Sequence, residues 1–243
     1  MPEPMNYQDL ARRYGLEPMP ESVAKITQIL SKQDADIDEI ARIISKDPAL
    51  TKRLLRAANP GAKTEADYDI ETVDAALMRN GLGCVLLLAM GTPLAHALVK
   101  TFQVMLNLKL ESMGAPADST PQGQFVLGTI SFSGKAAGAV HLRLSIESAR
   151  QVAARILGLE PQQITGAADI NDAVGELLNI ITGNFKSNLS DAGLDCSLEP
   201  PQVMQTSAGP ASKTPGGSLE RMSFRAGPIQ VFVDVQVNPW NAQ

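Results

Sequence analysis

Apolar residues follow two rhythms along this chain. Over the first third and again in the middle they recur every three or four positions, the spacing of one helix face. Near residue 125 and from residue 218 onward they alternate, the spacing of a strand. Residues 1–15 are polar and read as a lead-in. Val23, Ile26, Ile29 and Leu30 then predict a helix opening at Pro20. Asp36 followed by Glu39 has the form of a capping box for a second helix with Ile40, Ile43 and Ile44 inward. Asp47 and Pro48 open a third, backed by Leu50, Leu54 and Leu55 and ended by Asn59-Pro60-Gly61. Helical patterns over 71–79 and 82–90 are separated by Asn80-Gly81, and Thr92-Pro93 reads as a joint. A long helix is predicted from there to about Met113, with Leu98, Phe102, Met105 and Lys109 sharing a face.

After the loop composition of 114–123, the segments FVLGTISFSG and AAGAVHLRLS read as a hairpin turning near 133–135. In its second strand Val140, Leu142 and Leu144 alternate with His141 and Arg143. Residues 145–157 return to helix, with Ala149, Val152, Ala153 and Ile156 inward and Gly158 as the stop. Residues 195–206 read as one or two strands around Pro200-Pro201, and 207–218 (SAGPASKTPGGS) as a flexible loop. A closing hairpin spans 218–237, with Ile229, Val231, Val233, Val235 and Val237 on one face and Gln230, Asp234 and Gln236 on the other. This order implies an α+β chain: a helical N-terminal bundle, then long helices packed on a mainly antiparallel sheet.

The stretch DINDAVGELLNIITGNFKSNLS (169–190) organises the second part. Ile170, Val174, Leu177, Ile181 and Phe185 form one helical stripe. At roughly 100° per residue, Glu176 and Asn179 then fall on the opposite side, one turn apart, with Gly183 near the same outward line. A glycine inside a helix costs about 1 kcal/mol relative to alanine, so Gly183 invites an explanation.

Composition narrows the classes. The net charge of −5, without a long basic run, argues against a nucleic-acid binder or an anionic-membrane binder. No signal-peptide pattern is visible, and the apolar run 84–90 is too short to span a bilayer, so a cytoplasmic location without membrane insertion is expected. Cys84 and Cys196 form no CxxC pair and read as small buried hydrophobes. With only His96 and His141, neither followed by aspartate, the chain lacks the histidine–aspartate set of a dinuclear hydrolase acting on cyclic nucleotides. His96 reads as a helix residue and His141 as a strand residue.

Two resemblances follow. EPMPESVAKITQIL, DADIDEIARIISKDPALTKRLLRAAN and DAALMRNGLGCVLLLAM resemble the first half of an HDOD domain, an all-helical signalling module. That domain normally runs about twice as far, so this one looks truncated. GTISFSGKAAGAVHLRL and DAVGELLNIITGNFKSNL resemble the CheX-like branch of the CheC/CheX/FliY family of response-regulator phosphatases, with a single E-x-x-N signature at Glu176 and Asn179. The earlier long helix carries Asn107 but no acidic residue three positions before it. The domains expected from these resemblances are 1–95, HDOD-like, and 96–243, CheX-like.

The CheX resemblance implies a phosphatase of a CheY-like phosphorylated response regulator, with Asn179 and Glu176 as catalytic residues. Asn179 would position the hydrolytic water, and Glu176 would contact the receiver's active-site lysine. Asp172, Gly183, Asn184 and Lys186 are candidate partner-binding residues at the rim. No cofactor of the chain's own is expected; Mg²⁺ would sit on the partner receiver. A homodimer is expected from the family, with the valine-rich last strand as a pairing edge. The alternative is a non-catalytic receiver-binding or scaffold module that uses the same helix face.

Overall fold

Among the described residues three short helices come first, because each has its own start signal and one apolar stripe. They are α1 (Glu21–Leu30), α2 (Ile37–Ser45) and α3 (Pro48–Ala58). The computed structural model describes residues 20–30, 36–59, 64–113, 123–134, 137–191, 194–207 and 218–238. The Asp36 carboxylate accepts from the Glu39 amide at 3.0 Å, and Asp47 accepts from the amides of Ala49 and Leu50, each at 3.0 Å. These bonds satisfy amides that have no partner inside the first turn. The Ser22 hydroxyl donates to Asp47 and ties α1 to the start of α3. Asn59 closes α3. Its buried side-chain amide donates to the carbonyls of Leu55 and Ile70, and its oxygen accepts from the amides of Asp69 and Ile70.

The next element departs from the sequence expectation. One helix, α4 (Val73–Leu106), runs for 34 residues without a break at Asn80-Gly81 or at Thr92-Pro93. At 1.5 Å per residue it is about 50 Å long. Ala76, Leu77, Val85, Leu94, Ala97, Leu98 and Phe102 along it are buried. That burial outweighs the roughly 1 kcal/mol a mid-helix glycine costs. The helix stops before the predicted Met113, because Asn107 adopts a left-handed conformation (φ 51°) and Leu108 donates back to the Phe102 carbonyl. Met105 and Lys109, expected beside Leu98 and Phe102, are exposed instead.

The rest is a sheet with a helical layer. The strands are β1 (Glu111–Ser112), β2 (Phe125–Gly134), β3 (Gly138–Ser145), β4 (Cys196–Leu198), β5 (Gln202–Thr206), β6 (Ser218–Ala226) and β7 (Ile229–Val237). Their order is β1-β6-β7-β3-β2-β4, with β5 also on β2, and every pair is antiparallel. β4 takes 132–134 of β2 and β5 takes 125–129, so the segment around Pro200-Pro201 is two strands. Two helices interrupt the strands, α5 (Ile146–Leu157) and α6 (Ala167–Asp191). The valine-rich β7 lies between β3 and β6. It is not an edge, and its backbone has no free side on which to pair with a second subunit. The predicted lead-in 1–15 and most of the loops 114–123 and 207–218 lie outside the described residues.

Helix direction follows from neighbours. A Cβ at Gly128 would meet Leu178 and Val174, and the rings of Phe132 and Phe185 stand 6.0 Å apart. α6 therefore runs along β2 toward Gly134. Gly91 of α4 lies against Glu220, near the start of β6, whereas Glu111, just past the end of α4, pairs with Arg225 near the end of β6. Three antiparallel pairings separate β6 from β2, so the two strands run in opposite directions; α4 and α6, each following its own strand, pack antiparallel and are in contact.

Candidate functional site

The outward face of α6 owes its position to what lies beneath it. Ile170, Val174, Leu177, Leu178, Ile181, Phe185 and Leu189 are all buried, as the stripe predicts. Gly128 permits the close approach: a Cβ there would stand 3.0 Å from a Leu178 methyl, closer than side chains normally tolerate. On the flank, Gly175 is buried against Val203 and Pro201 of the β5 segment. Helix, strand and flank together leave α6 one free side.

On that side Asp172, Glu176 and Asn179 are exposed, and Lys186 is exposed one turn beyond Gly183. Gly183 is half-buried, yet a Cβ built on it would meet nothing within 4 Å. No packing among the described residues demands that glycine. Asn184 lies elsewhere: it is half-buried, and its amide nitrogen is 3.4 Å from the Thr101 hydroxyl of α4. The carbonyl of Asn179 is 3.3 Å from the buried hydroxyl of Thr182, which also donates to Leu178 at 2.7 Å. Sequence patterning did not single out Thr101 or Thr182, since a lone threonine in a helix carries no periodic signal.

A carboxylate and a neutral amide one turn apart on a rigid helix suit recognition rather than self-contained chemistry. The carboxylate takes a cationic donor, and the amide both donates and accepts hydrogen bonds. Among the described residues no group of three or more His, Cys, Asp and Glu side chains is placed to hold a metal ion.

A second polar group sits on the sheet face away from the helices, where Thr129, His141, Asp234 and Arg221 stand in register across four strands. Asp234, expected on an outer polar face, is fully buried and receives both bonds of Arg143, each at 3.1 Å. Arg143 also lies over the Phe232 ring at 5.7 Å. Burial pushes the Asp234 carboxyl pKa up, and the two arginines pull against it. His141 meets the Thr129 hydroxyl at 3.0 Å. Loss of hydration on burial, with repulsion from Arg143, lowers its pKa to about 4. Its imidazole is therefore neutral at pH 7. His96, half-buried on α4, is also lowered by burial. Cys196 is buried, as expected, and burial raises its thiol; the Cys84 side chain lies outside the described residues.

Known proteins resemble both parts. Residues 126–219 match the family model described as "Chemotaxis phosphatase CheX", and residues 16–113 match the HDOD domain model. Among solved structures, the chemotaxis protein CheX from Vibrio vulnificus is 22% identical, with a TM-score of 0.53 over 61% of this chain and 96% of that one. A CheC-like superfamily protein from Shewanella sp. PV-4 is 22% identical, with a TM-score of 0.54 over 61% of this chain and 97% of its own. The CheX–CheY–BeF3–Mg²⁺ complex from Borrelia burgdorferi contains a chain 20% identical, with a TM-score of 0.52 over 61% of this chain and 97% of that one. At these identities the likeness is one of fold. No curated protein matches the sequence.

Proposed function

We propose that this chain, in which an HDOD domain over 16–113 precedes a CheX domain over 126–219, is a phosphatase of a CheY-like response regulator. The observation that carries the proposal is the outward pair Glu176 and Asn179. They lie one turn apart on a helix whose opposite stripe is fully buried, beside a glycine with open space around it. The Borrelia burgdorferi neighbour, a CheX with CheY, BeF3 and Mg²⁺, supports the choice of partner.

Hydrolysis of a receiver's aspartyl phosphate needs a water in line with the bond that breaks. The receiver supplies the charge stabilisation through its own Mg²⁺ and lysine. The phosphatase therefore has to position that water and exclude others. The amide of Asn179 suits this task, because its neutral oxygen does not repel the phosphoryl group as a carboxylate would. Glu176 makes a charge-assisted contact with the receiver lysine and sets the register of docking. Asp172 and Lys186 lie at the rim of the docked surface. The open space over Gly183 leaves room for the receiver backbone. In this reading the division of labour falls within α4: the HDOD helices wrap its first part, and its last turns belong with the catalytic domain.

The test is phosphate loss from phosphorylated receivers in Mg²⁺, with the full chain and with Asn179→Ala. The wild type is expected to accelerate hydrolysis. The variant is expected to lose at least tenfold, about 1.4 kcal/mol of barrier. Receivers that bind tightly but lose phosphate at their intrinsic rate would reduce the chain to a binding module.

A further inference from the structure

Apolar packing sets how far α6 stands from its neighbours better than it sets how α6 slides or rotates. Its buried side chains are aliphatic apart from Phe185 and Thr182, whose hydroxyl bonds within its own helix, and α4 beside it buries Leu94, Ala97, Leu98, Phe102 and Leu106. Such surfaces admit near-equivalent registers; a directional polar contact in an apolar seam selects one, as a buried asparagine does in a coiled coil. α4 and α6 are joined by such a contact. Thr101 is 2% exposed and donates its hydroxyl proton to the Ala97 carbonyl at 2.7 Å. That bond spends the only proton of Thr101 and fixes the direction of its lone pairs. Asn184, approaching at 3.4 Å, therefore meets an acceptor held in one orientation.

We infer that Thr101 and Asn184 form a positioning pair that fixes the register of α6 on α4, and thereby where Glu176 and Asn179 face the receiver. This rests on the phosphatase reading above. It assigns Asn184 to the helix seam rather than to the partner surface. It also gives α4 a part in catalysis although α4 contributes no catalytic residue. Asn184 lies five residues beyond Asn179 in the same helix, so a rotation at one moves the other with it.

Thr101→Val keeps the side-chain shape and removes the acceptor; Thr101→Ser keeps the hydroxyl; Asn184→Ala removes the donor from a half-buried position. With a receiver that the wild type dephosphorylates, Thr101→Val and Asn184→Ala are expected to lower kcat at least fivefold with KM within twofold. Thr101→Ser is expected to restore kcat to within twofold of wild type. In the free full-length protein, hydrogen exchange of amides 176–186 should quicken in the first two variants and not in the third. A role confined to stability would lower the melting temperature and leave kcat untouched well below it. Retained kcat in Thr101→Val, or failure of Thr101→Ser to restore it, overturns the inference. Should the wild type dephosphorylate no receiver, the phosphatase reading fails on its own, and unchanged exchange in Thr101→Val would then overturn the seam.

Discussion

Arg53 and Glu220, 167 positions apart, close on each other through three hydrogen bonds. Arg53 Nε donates to Oε1 at 3.0 Å, and Nη2 donates to Oε1 and Oε2 at 2.7 and 2.9 Å. Arg53 belongs to α3 in the helical bundle and Glu220 to β6 in the sheet. The bond crosses α4 at Gly91, where a Cβ would overlap the Glu220 carboxylate. One missing methyl group thus lets the two ends of the chain meet.

Removing the guanidinium should cost about 2 kcal/mol, because it strands a carboxylate whose surroundings already resist its charge. Burial raises the Glu220 pKa while Arg53 holds it back. In Arg53→Met nothing holds it back, so the folded state keeps a proton that the unfolded chain has lost. The deficit relative to wild type should then shrink as the pH falls from 7 toward 5. Urea unfolding of both proteins at the two pH values measures this.

Gly91→Ala should change sign with its background. In the wild type the new methyl displaces the ion pair and destabilises the fold by about 1 kcal/mol or more, despite the better helix propensity. In a Glu220→Ala background the carboxylate is gone, and the Arg53 guanidinium, 2.9 Å from the added Cβ, is no longer held by it and can swing aside. The same substitution should then stabilise by up to about 1 kcal/mol. A double-mutant cycle from denaturant unfolding isolates the difference.

Gly183→Ala should separate stability from partner binding. With open space around the position, alanine gains up to about 1 kcal/mol of helix stability. If a receiver backbone comes close there, its affinity for the variant falls at the same time. Calorimetric melting and titration with a BeF3-bound receiver report the two effects independently.

His141 makes the fold acid-sensitive. Its pKa is about 4 when folded, against 6.5 ordinarily. Between those values the unfolded chain binds the proton and the folded chain does not. The stabilisation is complete above pH 6.5 and declines as the pH falls through that window, by a total of about 3 kcal/mol. Proton NMR should show the His141 ring still neutral at pH 5. The stability advantage of wild type over His141→Gln should narrow from pH 7.5 to 4.5.

Much of this architecture was legible from periodicity. The stripe of α6 and the alternation of β7 name buried faces without error, because burial on one side leaves its mark on every second or every third to fourth residue. The signature pair was legible for the same reason: Glu176 and Asn179 are polar where the stripe is absent. What escaped were effects of distance in sequence. Asn80-Gly81 and Pro93 carry local break signals, and burial along α4 overrides them. Asp234 looked like an outer strand residue, because nothing near it in sequence announces Arg143 as its partner. Thr101 and Gly91 matter only through residues 83 and 129 positions away.

The continuity of α4 makes the chain intolerant of changes in length at its seam. Inserting one residue near position 95 would turn the helical bundle by about 100° against the sheet and shift it by 1.5 Å. Arg53 would then point away from Glu220. Inserting seven residues would nearly restore the phase but separate the two by about 10 Å. A flexible linker forgives insertions; here the count of residues between the two segments is itself part of the structure.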